Sequence, residues 1–137
     1  MSFKKNKYCV AKKVVSKELA LFCFNYLLIA KAAAKTLRDK KQISDFDATW
    51  GVFNDQQVDG TWSKYGDIAM ETLLLKLLPV MEKETGLKLI PTYAYTRLYK
   101  TGDELKRHKD RPSCEVSTTL FLGGDEWPIF LSPNENV

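Results

Sequence analysis

The chain has 137 residues, of which 45% are hydrophobic and 28% charged, a mixture that excludes disorder and collagen-like structure and fits one globular domain. A chain of this length buries roughly two thirds of its unfolded surface without staples. The net charge of +4 is unevenly spread: Lys4, Lys5, Lys7, Lys12, Lys13 and Lys17 open the chain without an acid, leaving 15 basic against 17 acidic residues in the remainder. A solvated terminus explains that tail more simply than nucleic-acid binding, and no zinc-finger, helix-turn-helix or RNA-binding signature accompanies it. Three cysteines (Cys9, Cys23 and Cys114) without CxxC spacing exclude a disulfide scaffold and point to a reducing, cytoplasmic compartment. The single histidine limits any metal or triad site to one imidazole per chain.

In chain order, the β-branched content of Tyr8 to Val15 predicts a short strand, and Ser16 is placed to cap a helix running to about Arg38. Its stripe is Leu19, Phe22, Cys23, Tyr26, Leu27, Ala30, Ala33, Ala34 and Leu37 at helical spacing. Lysines, the apolar run Leu19 to Ala30 and the alanines 32–34 imitate a secretory signal, but Glu18 abuts the run and Asn25 interrupts it. Twelve apolar positions are too few to span a bilayer, so no membrane association is expected. Phe46 to Phe53 reads as a strand and Asn54 to Tyr65 as a polar loop. A second helix is predicted from about Asp67, with Met70, Leu73, Leu74, Leu77 and Met81 inward, Gly86 as its C′ residue, and a kink or break at Pro79.

Beyond Gly86 the pattern turns extended. Leu87 to Tyr99 places Tyr93, Tyr95, Arg97 and Tyr99 on one strand face. An arginine projecting among tyrosines needs an acidic partner, for which Glu115 or a ligand carboxylate is expected. Cys114 to Leu122 reads as a second strand, Gly123 to Asp125 as a turn, and Trp127 to Leu131 as a third strand opened at an edge by Pro128. Helices first and strands later predict an α+β fold, with helices packed on an antiparallel sheet. Residues 1–86 form the helical support and residues 87–137 the sheet of a single domain.

His108 and Asp110 are one residue apart, so an extended segment projects both from one face, as two adjacent ligands of one metal ion require. Standing alone in the basic run Lys106, Arg107, Lys109 and Arg111, such a pair reads as surface. Its setting changes that reading: Tyr99 and Gly102 precede it, and Arg111, Cys114, Glu115, the strand ending STTLFL and the WPI step follow. The stretch YTRLYKTGDELKRHKDRPSCEVSTTLFLGGDEWPIF resembles the first half of the double-stranded β-helix (jelly-roll, cupin-like) core of iron(II)/2-oxoglutarate-dependent dioxygenases, in particular the prolyl-4-hydroxylase-like group.

The resemblance implies that His108 and Asp110 are two members of a two-His, one-carboxylate facial triad for Fe(II), and that Tyr99 contacts the carboxylate of 2-oxoglutarate. The activity implied is hydroxylation of a peptide side chain or small metabolite, driven by oxidative decarboxylation of the oxoacid. The family's second histidine and its basic clamp for 2-oxoglutarate follow on later strands and have no counterpart here. The 51 residues from Leu87 hold four or five strands, fewer than the full core, and end in the polar tail Ser132 to Val137. A truncated oxygenase, inactive by itself, is the first expectation. The alternative is a non-catalytic binding or structural module that keeps half the core. In either case a homo-oligomer is expected, covering the apolar face around Val116, Leu120 and Phe130.

Overall fold

The structure is a computed structural model and describes residues 2–133; the end of the polar tail, 134–137, lies outside them. It is an α+β chain with three helices, α1 (Phe3–Asn6), α2 (Lys17–Asp39) and α3 (Ile68–Thr85), and one antiparallel sheet of β1 (Trp62–Tyr65) and β2 (Tyr95–Leu98).

Both long helices begin where their caps dictate. The Ser16 hydroxyl accepts the Leu19 amide at 3.1 Å, and Asp67 Oδ1 accepts the Met70 amide at 3.1 Å, each satisfying an amide that the first helical turn leaves unpaired. Gly86 ends α3 at φ 71°, its N–H donating to the Glu82 carbonyl. Of the kink or break expected at Pro79, no break occurs: α3 runs on through it to Thr85; the ring stands on the exposed side, where one missing backbone donor leaves a carbonyl to solvent.

Cys23, Leu27, Ala30 and Ala34 of α2 meet Met70, Leu73 and Leu77 of α3 over the fully buried Trp62 of β1. Three side chains of that core are alanine or cysteine, so the indole supplies much of its volume. Phe22, expected on the inward stripe, is 71% exposed, because the buried arc of α2 is narrower than the stripe and centred on Cys23 and Leu27.

Three elements join at one carboxylate. Asp67, 1% exposed, accepts the Tyr26 hydroxyl at 2.6 Å and the Lys64 ammonium at 2.9 Å, while also capping α3. Burial works to raise its pKa, but the bonds from Tyr26 and Lys64 prevail and lower it. Burial and the Asp67 bond push the Tyr26 hydroxyl up to about 12. Folding therefore favours protonated Tyr26, a stabilisation complete below the ordinary tyrosine pKa of about 10 and lost as pH rises through about 12. Tyr26→Phe is expected to cost about 1.5–3 kcal/mol at neutral pH and to flatten that alkaline loss, as followed by phenolate absorbance and circular dichroism.

The predicted strands fare less well. Tyr8 to Val15 forms neither strand nor helix, α1 having ended at Asn6. Phe46 to Phe53 is a set of turns with one isolated bridge, Val52 to Ser63. They are held by the Arg38 guanidinium, which donates to the carbonyls of Gly51 at 3.1 Å and Asp47 at 2.8 Å, leaving these acceptors unavailable to a ladder. The predicted loop Asn54 to Tyr65 ends in β1, and of Leu87 to Tyr99 only β2 is paired. Among the described residues neither Cys114 to Leu122 nor Trp127 to Leu131 joins a sheet, and no jelly-roll core is formed. Leu120 and Leu122 instead pack on the core, and Gly123 lies against the Phe24 ring so closely that a Cβ there would come within 2.8 Å of it. Of the face expected to need a partner, Leu120 is thus partly covered, whereas Phe130 is 89% exposed.

Candidate functional site

The outer face of the sheet is set by its register: Ser63 pairs with Arg97 and Tyr65 with Tyr95, so these four side chains share one side while Trp62 and Leu98 face the helices. Arg97 finds its acid in Asp55, with Nε to Oδ2 at 2.8 Å and Nη2 to Oδ1 at 3.3 Å. The expected partners, Glu115 or a ligand carboxylate, are not the ones used. Asp55 also accepts the Tyr95 hydroxyl at 2.5 Å and the amides of Gln57 and Val58 at 2.8 and 3.0 Å. Gln57 Oε1 accepts from Arg97 as well. Burial alone would raise the Asp55 pKa, yet the bonds from Arg97, Tyr95 and the two amides outweigh it and hold the carboxyl well below the usual range.

Next along this face, the Tyr99 hydroxyl accepts from Arg97 Nη1 at 3.4 Å, and its ring meets Trp127 edge to face at 4.3 Å between centroids. Tyr93 stacks obliquely on Tyr65 at 5.0 Å and takes a contact from Cys114 Sγ to its hydroxyl at 3.2 Å. That contact, burial and the nearby Asp110 carboxylate raise the Tyr93 pKa, while Arg111 opposes them. Asp110 therefore lies within electrostatic reach of the tyrosine-lined face.

His108 and Asp110 stand on an exposed segment without helical structure, with Nε2 and Oδ1 3.3 Å apart. The other ring nitrogen, Nδ1, is 2.8 Å from the Lys106 carbonyl, an acceptor that fixes the proton on Nδ1 and turns the Nε2 lone pair toward Asp110. Two lone-pair donors this close require a cation between or beside them. A proton on Nε2 meets that need, and so does a metal: ligands at about 2.1 Å and a right angle are about 3 Å apart. The pair thus fits two adjacent positions of a facial site. Among the described residues no group of three His, Cys, Asp or Glu side chains could complete it.

Sequence reasoning placed Tyr93, Tyr95, Arg97 and Tyr99 on a common face and missed what they bind. Asp55, Gln57 and Trp127 carried no local signal for that role, and neither did the Lys106 carbonyl beside His108. No protein-family profile, curated protein or solved structure matches this chain.

Proposed function

We propose that the chain carries the first part of an iron(II)/2-oxoglutarate-dependent oxygenase, with His108 and Asp110 as two metal ligands and Tyr99 beside the oxoacid. The observation that carries this reading is the Nε2 to Oδ1 juxtaposition of 3.3 Å together with the Nδ1 bond to the Lys106 carbonyl. Bound Fe(II) would supply oxidative decarboxylation of 2-oxoglutarate coupled to hydroxylation of a peptide or small-molecule substrate. The chain's own residues do less demanding work. Lys106 orients the imidazole, Arg97 and Trp127 hold Tyr99, and the Asp55–Arg97 pair braces the tyrosine face. In this reading Cys114 to Leu122 and Trp127 to Leu131 belong to a jelly-roll half whose ladder partners, third ligand and basic clamp come from outside the described residues. A cytoplasmic setting with three unpaired thiols suits a ferrous site.

The second reading, a non-catalytic module, rests on the same contact: a protonated His108 bonded to Asp110 is an ordinary surface ion pair in a basic run. Titration with Co(II), followed by its visible absorption, separates the two. The oxygenase reading expects weak, pH-dependent binding that His108→Ala and Asp110→Ala each abolish, and that 2-oxoglutarate tightens by chelating the open positions. Binding unaffected by these substitutions, or indifferent to 2-oxoglutarate, favours the module.

A further inference from the structure

The side of α2 turned away from the core carries Leu21, Phe22, Leu28 and Ile29 at 57, 71, 42 and 69% exposure, a run of large apolar groups that a solvated helix does not need. Their spacing is symmetric about Asn25, itself exposed. Phe22 and Leu28 lie three residues to either side, Leu21 and Ile29 four, and Glu18 and Ala32 seven. A helix whose apolar pattern reads the same in both directions from a polar centre is complementary to an antiparallel copy of itself.

We propose that this face is the interface of a two-fold dimer of the chain, with its axis passing beside Asn25. This assignment is independent of the oxygenase reading. A copy turned about that axis sets Leu21 against Leu28 and Phe22 against Ile29 of the second chain, while the two Asn25 amides meet and fix the register. A cavity of about 270 Å³ flanks Ile29, between Tyr26, Ala30 and the half-exposed Trp50. It is a hole on the side of the helix where the second chain's Phe22 projects. The knob and hole lie two turns apart on one rigid helix, so neither is filled from within its own chain; a second copy fills both at once. The helix ends are mixed in charge: Lys17 and Glu18 of one chain lie toward Lys35 and Asp39 of the other, one base and one acid on each side, with Lys35 and Asp39 already ion-paired at 2.7 Å within their own chain.

This mixed rim argues for a protein partner over a lipid surface, for which a basic rim is the usual complement. By length and composition alone α2 could also cross a membrane, and the experiment therefore includes lipid vesicles. The patch is near the lower end of specific interfaces, about 600 Å² per partner, so a micromolar dimer is expected.

Sedimentation velocity of the whole chain up to about 200 μM should show a reversible monomer–dimer equilibrium. Phe22→Glu should raise its dissociation constant by about a hundredfold or more with an unchanged circular dichroism spectrum, because Phe22 is exposed in the monomer; Leu28→Lys is the second variant should Phe22→Glu misfold. Asn25→Cys, across the axis from itself, should form a covalent dimer under mild oxidation, whereas Lys76→Cys on the exposed side of α3 should not. A chain that stays monomeric throughout overturns the proposal, as does a dimer that both charged variants leave intact. Co-sedimentation of a monomeric chain with phosphatidylcholine–phosphatidylglycerol vesicles, lost in Phe22→Glu, overturns it in favour of a lipid surface.

Discussion

Asp55→Ala is expected to destabilise the protein by about 3–5 kcal/mol, the range for removing one partner of a buried ion pair, a large share of the 5–15 kcal/mol that holds a typical domain. The Asp55 side chain is 1% exposed and that of Arg97 13%. Truncation therefore strands a guanidinium in a desolvated position and also removes the acceptor for the Tyr95 hydroxyl and two amides. Arg97→Leu should cost less, because the remaining carboxylate keeps Tyr95 and both amides as donors. In Asp55→Ala/Arg97→Leu the stranded charge is gone, so urea denaturation should return a double-variant loss well below the sum of the single losses. Additive losses would show that the pair contributes independently. The pH dependence has a definite sign. The folded-state pKa lies below the unfolded value of about 4, so the stabilisation is complete above about pH 4 and is lost as pH falls through the folded value. Asp55→Ala should remove that part of the acid sensitivity.

The same carboxylate marks where the sequence stops being legible. Tyr95, Arg97 and Tyr99 share a face because strand side chains alternate, a rule that needs no knowledge of the rest of the chain. That a buried Arg97 requires an acid follows from charge desolvation. Which acid does not follow, since Asp55 lies 42 residues upstream in a polar stretch whose composition reads as loop. The start of α2 at Ser16 and both ends of α3, at Asp67 and Gly86, are legible for the opposite reason: a cap acts on amides or carbonyls within four residues of itself. Strands depend on partners. Cys114 to Leu122 has strand composition, yet among the described residues its backbone joins no ladder, and Leu120 and Leu122 are held by side-chain packing on the core alone. Within the candidate site, the spacing of His108 and Asp110 predicted their approach, whereas the Lys106 carbonyl beside the ring depends on the turn of the backbone and had no signal in the sequence. The Tyr99 contact with Trp127 spans 28 positions and had no local signal.

Trp62→Ala should be the most damaging single truncation outside that ion pair, at about 3–5 kcal/mol. The indole is fully buried at the meeting of α2, α3 and the sheet, and its Nε1 donates to the Trp50 carbonyl at 3.0 Å. The small side chains around it, Cys23, Ala30 and Ala34, cannot extend into the space it would leave. Gly51 is the other half of this arrangement. It holds φ at +92°, and a Cβ there would collide with Cε2 and Nε1 of the same indole and stand 2.6 Å from Cζ2. Gly51→Ala combines backbone strain with overpacking, about 2–6 kcal/mol together, and should displace the indole enough to change tryptophan fluorescence. In Trp62→Ala/Gly51→Ala the collision has no second party, leaving backbone strain as the added cost of the alanine. The double variant should then be about 1–3 kcal/mol less stable than Trp62→Ala. If Gly51→Ala costs the same in both backgrounds by chemical denaturation, the close approach of backbone to indole is not what holds this corner of the fold.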